Sequence, residues 1–243
     1  MNRGSALLVV LLMSFLSLPI REANALTTAS KTASVAIPPV QSVAVSPENE
    51  ILAGTFGEGI FLSLDGGRNW TARNDALTNH NILTLAAKGK GFIFAGTFGG
   101  GVFRAEEEGA YNWEQVNSGL DCLEITSLVV DREGYVFAGS SSGIVYRSED
   151  NGDHWLPIGD CGEYINCVAS DGNGLILVAT SHGIQRSTDS GMTWRTQNTG
   201  LGCLDVWSMT CGMDGDIFAA TNGGGVYQSR DNGTMWIDRK SVV

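Results

Sequence analysis

The stretch "SEDNGDHW", Ser148 to Trp155, gathers acids, an Asn and a His around a Gly, the residue types of a metal or acid–base site. It has three relatives in the same chain: "SLDGGRNW" (Ser63 to Trp70), "STDSGMTW" (Ser187 to Trp194) and "SRDNGTMW" (Ser229 to Trp236). All four read S-x-D-x-G-x-x-W. A fifth, degenerate copy, "AEEEGAYNW" (Ala105 to Trp113), has Ala105 for Ser, Glu107 for Asp and one extra residue before its Trp. The residues that recur are turn formers, whereas Asp153 and His154 fall on positions that vary between copies, so the box is architecture before it is chemistry.

The five tryptophans, Trp70, Trp113, Trp155, Trp194 and Trp236, are spaced by 43, 42, 39 and 42 residues. A period of this size belongs to propeller blades or helical arrays. The segments between boxes decide for blades. Before each box comes a Gly-broken pair of short runs rich in β-branched and aromatic residues: "ILAGTFGEGIFLS", "FIFAGTFGGGVFRA", "YVFAGSSSGIVYRS", "LILVATSHGIQRS" and "DIFAATNGGGVYQS". Upstream lies one more strand-like run per unit, "VQSVAV", "ILTLAA", "ITSLVV", "INCVAS" or "VWSMTC", and the run starting at each Trp supplies the last. No sustained helical period competes with this pattern. The expected fold is therefore all-β: a five-bladed β-propeller whose blades each hold four antiparallel strands, A to D from the inside outward.

At the boxes the chain resembles the BNR or Asp-box repeat proteins, a group that includes sialidases, some glucan hydrolases, photosystem assembly factors and exported propellers. The resemblance covers roughly residues 40–238 and implies that each box is the hairpin between strands C and D, away from the usual ligand face. Under it, Asp65, Asp150, Asp189 and Asp231 take a structural role, their side chains satisfying turn amides. The D–A and B–C loops then share the opposite face, where ligands of such propellers commonly sit.

That face would present Phe56, Glu58, Phe98, Ser140 to Ser142, His182 and Asn222 from B–C loops. The D–A connections would add Asn79, His80, Asp121, Asp160, Glu163 and Asp205. At the start of strand A one aligned position holds Pro39, Asn81, Glu124, Tyr164 and Asp205; two residues on stand Gln41, Leu83, Thr126, Asn166 and Trp207. Positions that vary this freely inside repeats otherwise alike mark a surface released from blade packing. The candidate ligand-binding residues are Asn81, Glu124, Tyr164, Asp205, Trp207, Phe56, Phe98 and His182, a mixture of polar groups and aromatics that suits a sugar or a short peptide. The competing reading is that the same side chains line a hydrated channel.

A glycosidase needs two carboxyl groups facing the scissile bond, for which Glu124 and Asp205 are the available pair. The F/Y-R-I-P motif that the resemblance would require of a sialidase is absent. So are a phosphate loop, H-E-x-x-H and G-x-S-x-G. With His80, His154 and His182 as the only histidines and no ligand spacing among them, neither a metal nor another cofactor is expected. The sequence thus points to a non-catalytic module binding a glycan or an extracellular protein. A glycan-cleaving hydrolase and a protein-assembly scaffold are the alternatives.

The N-terminus reads separately. A basic start at Arg3, an apolar run from Ala6 to Leu18 and "ANA" at Ala23 to Ala25 make residues 1–25 a secretory signal. The lead-in then occupies residues 26–39 and the propeller residues 40–243, with no membrane span in the mature chain and a secreted or periplasmic location. Loss of Arg3, Arg21 and Glu22 moves the formal charge from −11 to −12, which argues against nucleic acid as partner. Of five cysteines, Cys122, Cys161 and Cys203 fall in successive D–A connections, where two of them have the opportunity to bridge neighbouring blades; Cys167 and Cys211 lie in or beside A strands as buried thiols. Closure is expected through packing of A strands and blade faces, with "SVAIPP" (Ser34 to Pro39) against blade five; a truncated relative of larger Asp-box propellers and assembly with another copy through open edges are the alternatives.

Overall fold

A computed structural model describes residues 39–88, 91–106, 111–212 and 214–239. Residues 1–25, expected to be a secretory signal, most of the expected lead-in and the centre of the degenerate box lie outside these residues. The described chain is all β, a five-bladed propeller of four-stranded antiparallel sheets. Blade 1 holds β1 (Val40–Val45), β2 (Ile51–Thr55), β3 (Ile60–Ser63) and β4 (Thr71–Ala72). Blade 2 holds β5 (Ile82–Lys88), β6 (Phe92–Thr97), β7 (Gly101–Glu106) and β8 (Glu114–Gln115). In blade 3 they are β9 (Ile125–Val130), β10 (Val136–Ser140), β11 (Ile144–Ser148) and β12 (Leu156–Asp160). In blade 4 they are β13 (Cys167–Ser170), β14 (Ile176–Thr180), β15 (Gly183–Ser187) and β16 (Arg195–Thr196), and in blade 5 β17 (Val206–Cys211), β18 (Ile217–Thr221), β19 (Gly225–Ser229) and β20 (Ile237–Asp238). Strands follow one another across each sheet in chain order, and β1, β5, β9, β13 and β17 pack successively on one another, which puts them at the axis.

The core lies between blades. Side chains alternate along a strand, so one sheet serves two interfaces. Leu52, Ile60 and Leu62 of blade 1 pack on Ile82, Leu85, Ile93 and Phe103 of blade 2. Matching apolar clusters join blades 2 and 3, 3 and 4, and 4 and 5. Where β2, β6 and β10 pass closest to the next A strand the residue is Gly54, Gly96 or Gly139, and a Cβ there would drive into Ile82, Ile125 or Ile165.

Two sets of hydrogen bonds stitch these interfaces. On the inner strands, Leu85 N–H donates to Ser42 Oγ (2.9 Å), Leu128 N–H to Thr84 Oγ1 (3.1 Å), Val168 N–H to Ser127 Oγ (2.9 Å) and Met209 N–H to Cys167 Sγ (3.4 Å). At the rim, the box tryptophans reach back to the preceding blade: Trp113 Nε1 to the Arg73 carbonyl (2.8 Å), Trp155 to Val116 (2.8 Å), Trp194 to Ile158 (2.8 Å) and Trp236 to Gln197 (3.1 Å). In these four copies the Trp is an inter-blade clasp with its one donor satisfied; the indole is buried at Trp113, Trp155 and Trp236 and half-buried at Trp194.

Within the box the Asp closes its own hairpin. Asp150 Oδ1 accepts from Ser148 Oγ (2.9 Å) and His154 N–H (2.9 Å), and Asp189 Oδ1 accepts from Ser187 Oγ (2.7 Å) and Thr193 N–H (2.9 Å). Asp65 receives Ser63 Oγ and the amides of Arg68 and Asn69, and Asp231 receives Ser229 Oγ and the amides of Thr234 and Met235. The Asn69 amide, and then its side chain, hold the Asp65 carboxyl at about 2; the Thr193 hydroxyl and amide do the same for Asp189.

Candidate functional site

The face opposite the boxes is assembled by one repeated device. Asn74, Asn117 and Asn198, each just after a D strand, pin the B–C loop of their own blade: the side-chain oxygen accepts from Ile60, Val102 or Ile184 N–H at 2.8 Å. The amide nitrogen donates to the carbonyl of Glu58, Gly100 or His182. Each D–A connection is in turn gripped by the loops on either side, as where Gly99 and Gly101 N–H donate to the Leu123 carbonyl and Ser141 N–H to that of Glu124. Loops with little secondary structure thus form a continuous belt held by rigid blades.

All eight residues read from sequence lie on this belt, in local groups. Phe56 and Phe98, from the B–C loops of blades 1 and 2, meet edge to face with ring centroids 6.0 Å apart, and each is nearly half exposed. Between them runs the connection carrying Asn81, which bridges Phe56 as an isolated β-pair and whose carbonyl accepts from Phe98 N–H. Tyr164 stands on the connection into blade 4; burial, and then the nearby Glu124 charge, push its phenol up. On blade 5, Asp205 accepts from Trp207 Nε1 (3.1 Å) and Asn222 Nδ2 (2.9 Å). His182 contacts Glu163 through Nδ1.

This last group places a Ser, a His and a Glu together, because Ser181 Oγ lies 2.9 Å from His182 Nδ1 and 3.2 Å from Glu163 Oε2. It is not a proton relay. A catalytic triad needs the nucleophile on one ring nitrogen and the acid on the other, whereas both partners here converge on Nδ1. Asp205, one of the two acids available to a hydrolase, is likewise occupied by an indole and an amide donor. Among the described residues no three His, Cys, Asp or Glu side chains converge as a metal site would require.

Two residues of the belt escaped the sequence reading. Leu123 and Leu204 are 39% and 42% exposed at the same repeat position, beside Glu124 and Asp205. The signal available was that a large apolar residue occupies a loop position filled by His80 and Glu163 in other repeats. The bridge that the sequence left open among Cys122, Cys161 and Cys203 does not form, and all five thiols are free. Cys122 and Cys203 have local partners at different junctions: Cys122 Sγ lies 3.5 Å from Ser141 Oγ, and Cys203 donates to the Asn222 carbonyl at 3.4 Å. Burial, with the charges of Asp160 and Glu163, pushes Cys161 up to about 11, where thiolate chemistry is suppressed.

At the opposite end, a depression of about 560 Å³ is lined by the A–B turns, with Lys88 and Arg132 facing Asp131, Glu133 and Asp171. Its charges offset one another and select no ligand sign. No helix of the described residues is long and apolar enough to cross a membrane.

The geometry defines a propeller carrying an apolar and aromatic loop belt. Among solved structures the chain is similar to the extracellular domain of BT4673 from B. thetaiotaomicron, with TM-score 0.66 and 18% identity over 78% of this chain and 27% of that one. It is also similar to the GH74 xyloglucanase from Xanthomonas campestris (TM-score 0.61, 19% identity, 83% of this chain, 32% of that one). A third is YCF48 bound to D1 peptide (TM-score 0.65, 14% identity, 83% of this chain, 69% of that one). These neighbours are BNR/sialidase-like propellers, and the likeness is one of fold. The chain spans about a quarter to a third of the length of the first two. No family model and no curated protein matches it.

Proposed function

We propose that the chain is a secreted, non-catalytic binding module whose D–A/B–C belt takes an extracellular protein or glycan, with an extended protein segment as the better fit. One observation carries this reading: Phe56, Phe98, Leu123, Tyr164, Leu204 and Trp207 are each 39–48% exposed on a single face. Apolar side chains gathered on one face of a soluble domain mark an interaction surface, because leaving them hydrated costs free energy that a partner recovers. Leucines contribute nothing to sugar stacking but fit the apolar side chains of a peptide, and one structural neighbour is YCF48 bound to D1 peptide. A glycan is the second reading, favoured where Tyr164 lies near Glu124 and Trp207 beside Asp205, an aromatic plane next to an acceptor.

The test pans a displayed random-peptide library and a glycan array against wild type, Phe98→Ala and Trp207→Ala. Peptides with apolar side chains should bind wild type and lose about tenfold or more in affinity on either variant. Glycan binding abolished by Trp207→Ala alone selects the second reading. Ligands unaffected by both variants, or cleaved on binding, overturn the assignment.

A further inference from the structure

The belt is acidic as well as apolar. Glu58, Asp121, Glu124, Asp160, Glu163 and Asp205 lie on it, whereas its loops and connections, residues 56–59, 74–81, 98–100, 117–124, 141–143, 160–166, 181–182, 198–205 and 222–224, contain no Lys or Arg. The arginine ion pairs of the described residues lie off this face: Arg104 with Glu114 and with Asp153 (2.9 Å), Arg147 with Glu149 (2.6 Å) and Arg230 with Asp216 (3.2 Å). Of the belt acids, Glu163 alone meets an ionisable base among the described residues, at His182. The acids also stand beside the exposed apolar side chains: Glu124 follows Leu123, Asp205 follows Leu204, Tyr164 follows Glu163, and Glu58 comes two residues after Phe56. Phe98 joins the same ground through the Leu123 carbonyl, which accepts from Gly99 N–H.

We infer that the belt's partner is cationic: an extended protein segment with Lys and Arg interspersed among apolar residues. This rests on the reading of the belt as a peptide-binding surface. A partner that covers Leu123 or Leu204 also strips water from the neighbouring carboxylate, and an uncharged segment leaves that charge uncompensated. Lys and Arg meet both demands with one side chain, the aliphatic stem lying along the leucine or ring and the charged head reaching the acid. Over the faces of Tyr164 and Trp207 the same heads are attracted a second time. Charge of one sign on one face also draws a cationic segment in from solution and turns away acidic ones, the belt of a second copy included.

The chain purified after export is panned against the displayed random-peptide library, and the selected peptides are sequenced. They should be enriched in Lys and Arg and depleted of Asp and Glu, and their affinity should fall as salt rises. The triple variant Glu58→Gln, Asp121→Asn, Glu124→Gln should weaken the best of them about tenfold. The matched triple Glu48→Gln, Glu133→Gln, Glu149→Gln, which removes the same charge from the opposite end, should bind like wild type; thermal unfolding verifies that both triples fold. Neutral or acidic peptides, or an affinity indifferent to salt, with binding still lost on Phe98→Ala, would overturn the cationic preference and leave the belt a peptide site. Equal weakening by the two triples would reduce the effect to net charge and overturn it too. Peptide binding that appears only after Lys31→Glu would give the belt to the chain's own residues 26–38 and overturn the proposed partner. Binding unaffected by Phe98→Ala would sink the peptide reading itself, and this inference with it.

Discussion

The two ends of the propeller are built from the same blades and use them in opposite ways. At the box end, polar atoms are consumed locally: Asp150 closes its own hairpin, and Trp155 spends its one donor on the neighbouring blade. At the belt end, Asn74, Asn117 and Asn198 do the equivalent holding with a single side chain per blade, which frees the adjoining positions to differ. Repetition marks the side chains that carry stability, and variation marks those released to meet a partner.

Substitutions that break the clasp should cost most. Trp155→Ala removes an indole that is 2% exposed and packed among Phe94, Val116 and Val136, and it leaves the Val116 carbonyl without its donor. A loss of about 3–5 kcal/mol is expected in urea unfolding. Trp70→Ala removes a half-buried ring bonded within its own hairpin and should cost only about 1 kcal/mol. Equal losses at the two positions would refute the distinction between a Trp that clasps the preceding blade and one bonded within its own hairpin.

Acid should reach the box end next. Asp65, Asp150 and Asp189 titrate at about 2 in the folded protein, below the unfolded value of 3.8. For Asp150 burial opposes the shift, and the His154 amide and ring outweigh it. A carboxyl with a depressed folded pKa stabilises fully above the unfolded value and loses that contribution as the pH falls towards 2. Thermal unfolding should therefore be level near neutrality and drop between about pH 4 and pH 2. The triple variant Asp65→Asn, Asp150→Asn, Asp189→Asn should start lower and fall less over that window. A parallel decline would place the acid sensitivity elsewhere.

The stitched half of the molecule was legible because it is periodic. Four intact boxes and a degenerate fifth, in register, specify blade number and strand order, and the runs "ITSLVV" and "VWSMTC" form β9 and β17 at the residues expected. "INCVAS" lost its first two residues, as Ile165 and Asn166 serve the preceding loop and the next blade: Asn166 Nδ2 donates to the Val206 carbonyl at 2.8 Å. The belt was legible only by position. Alignment of repeats put Phe56, Phe98, Tyr164 and Trp207 on one face, but pairing of the two phenylalanines and exposure of Leu123 and Leu204 depend on loop paths that no period encodes. The segment expected to lie against blade five, Ser34 to Pro39, falls outside the described residues except for Pro39.

The smallest stability effect is expected where the functional effect is largest. Phe98 and Trp207 keep 48% and 39% of their surface exposed, so truncation to Ala removes little packing and should move the unfolding free energy by no more than about 0.5 kcal/mol. Phe98→Ala also strips Phe56 of its ring partner, and any coupling between them appears in the double variant Phe56→Ala, Phe98→Ala as a departure from additivity. Because an edge-to-face pair contributes about 0.5–1.5 kcal/mol beyond its buried area, that departure measures how far the two rings form one preorganised surface. Strict additivity, with ligand affinity lost in equal steps, would make them independent contacts; a first truncation that removes nearly all the affinity would make the pair, and not either ring, the element that a partner recognises.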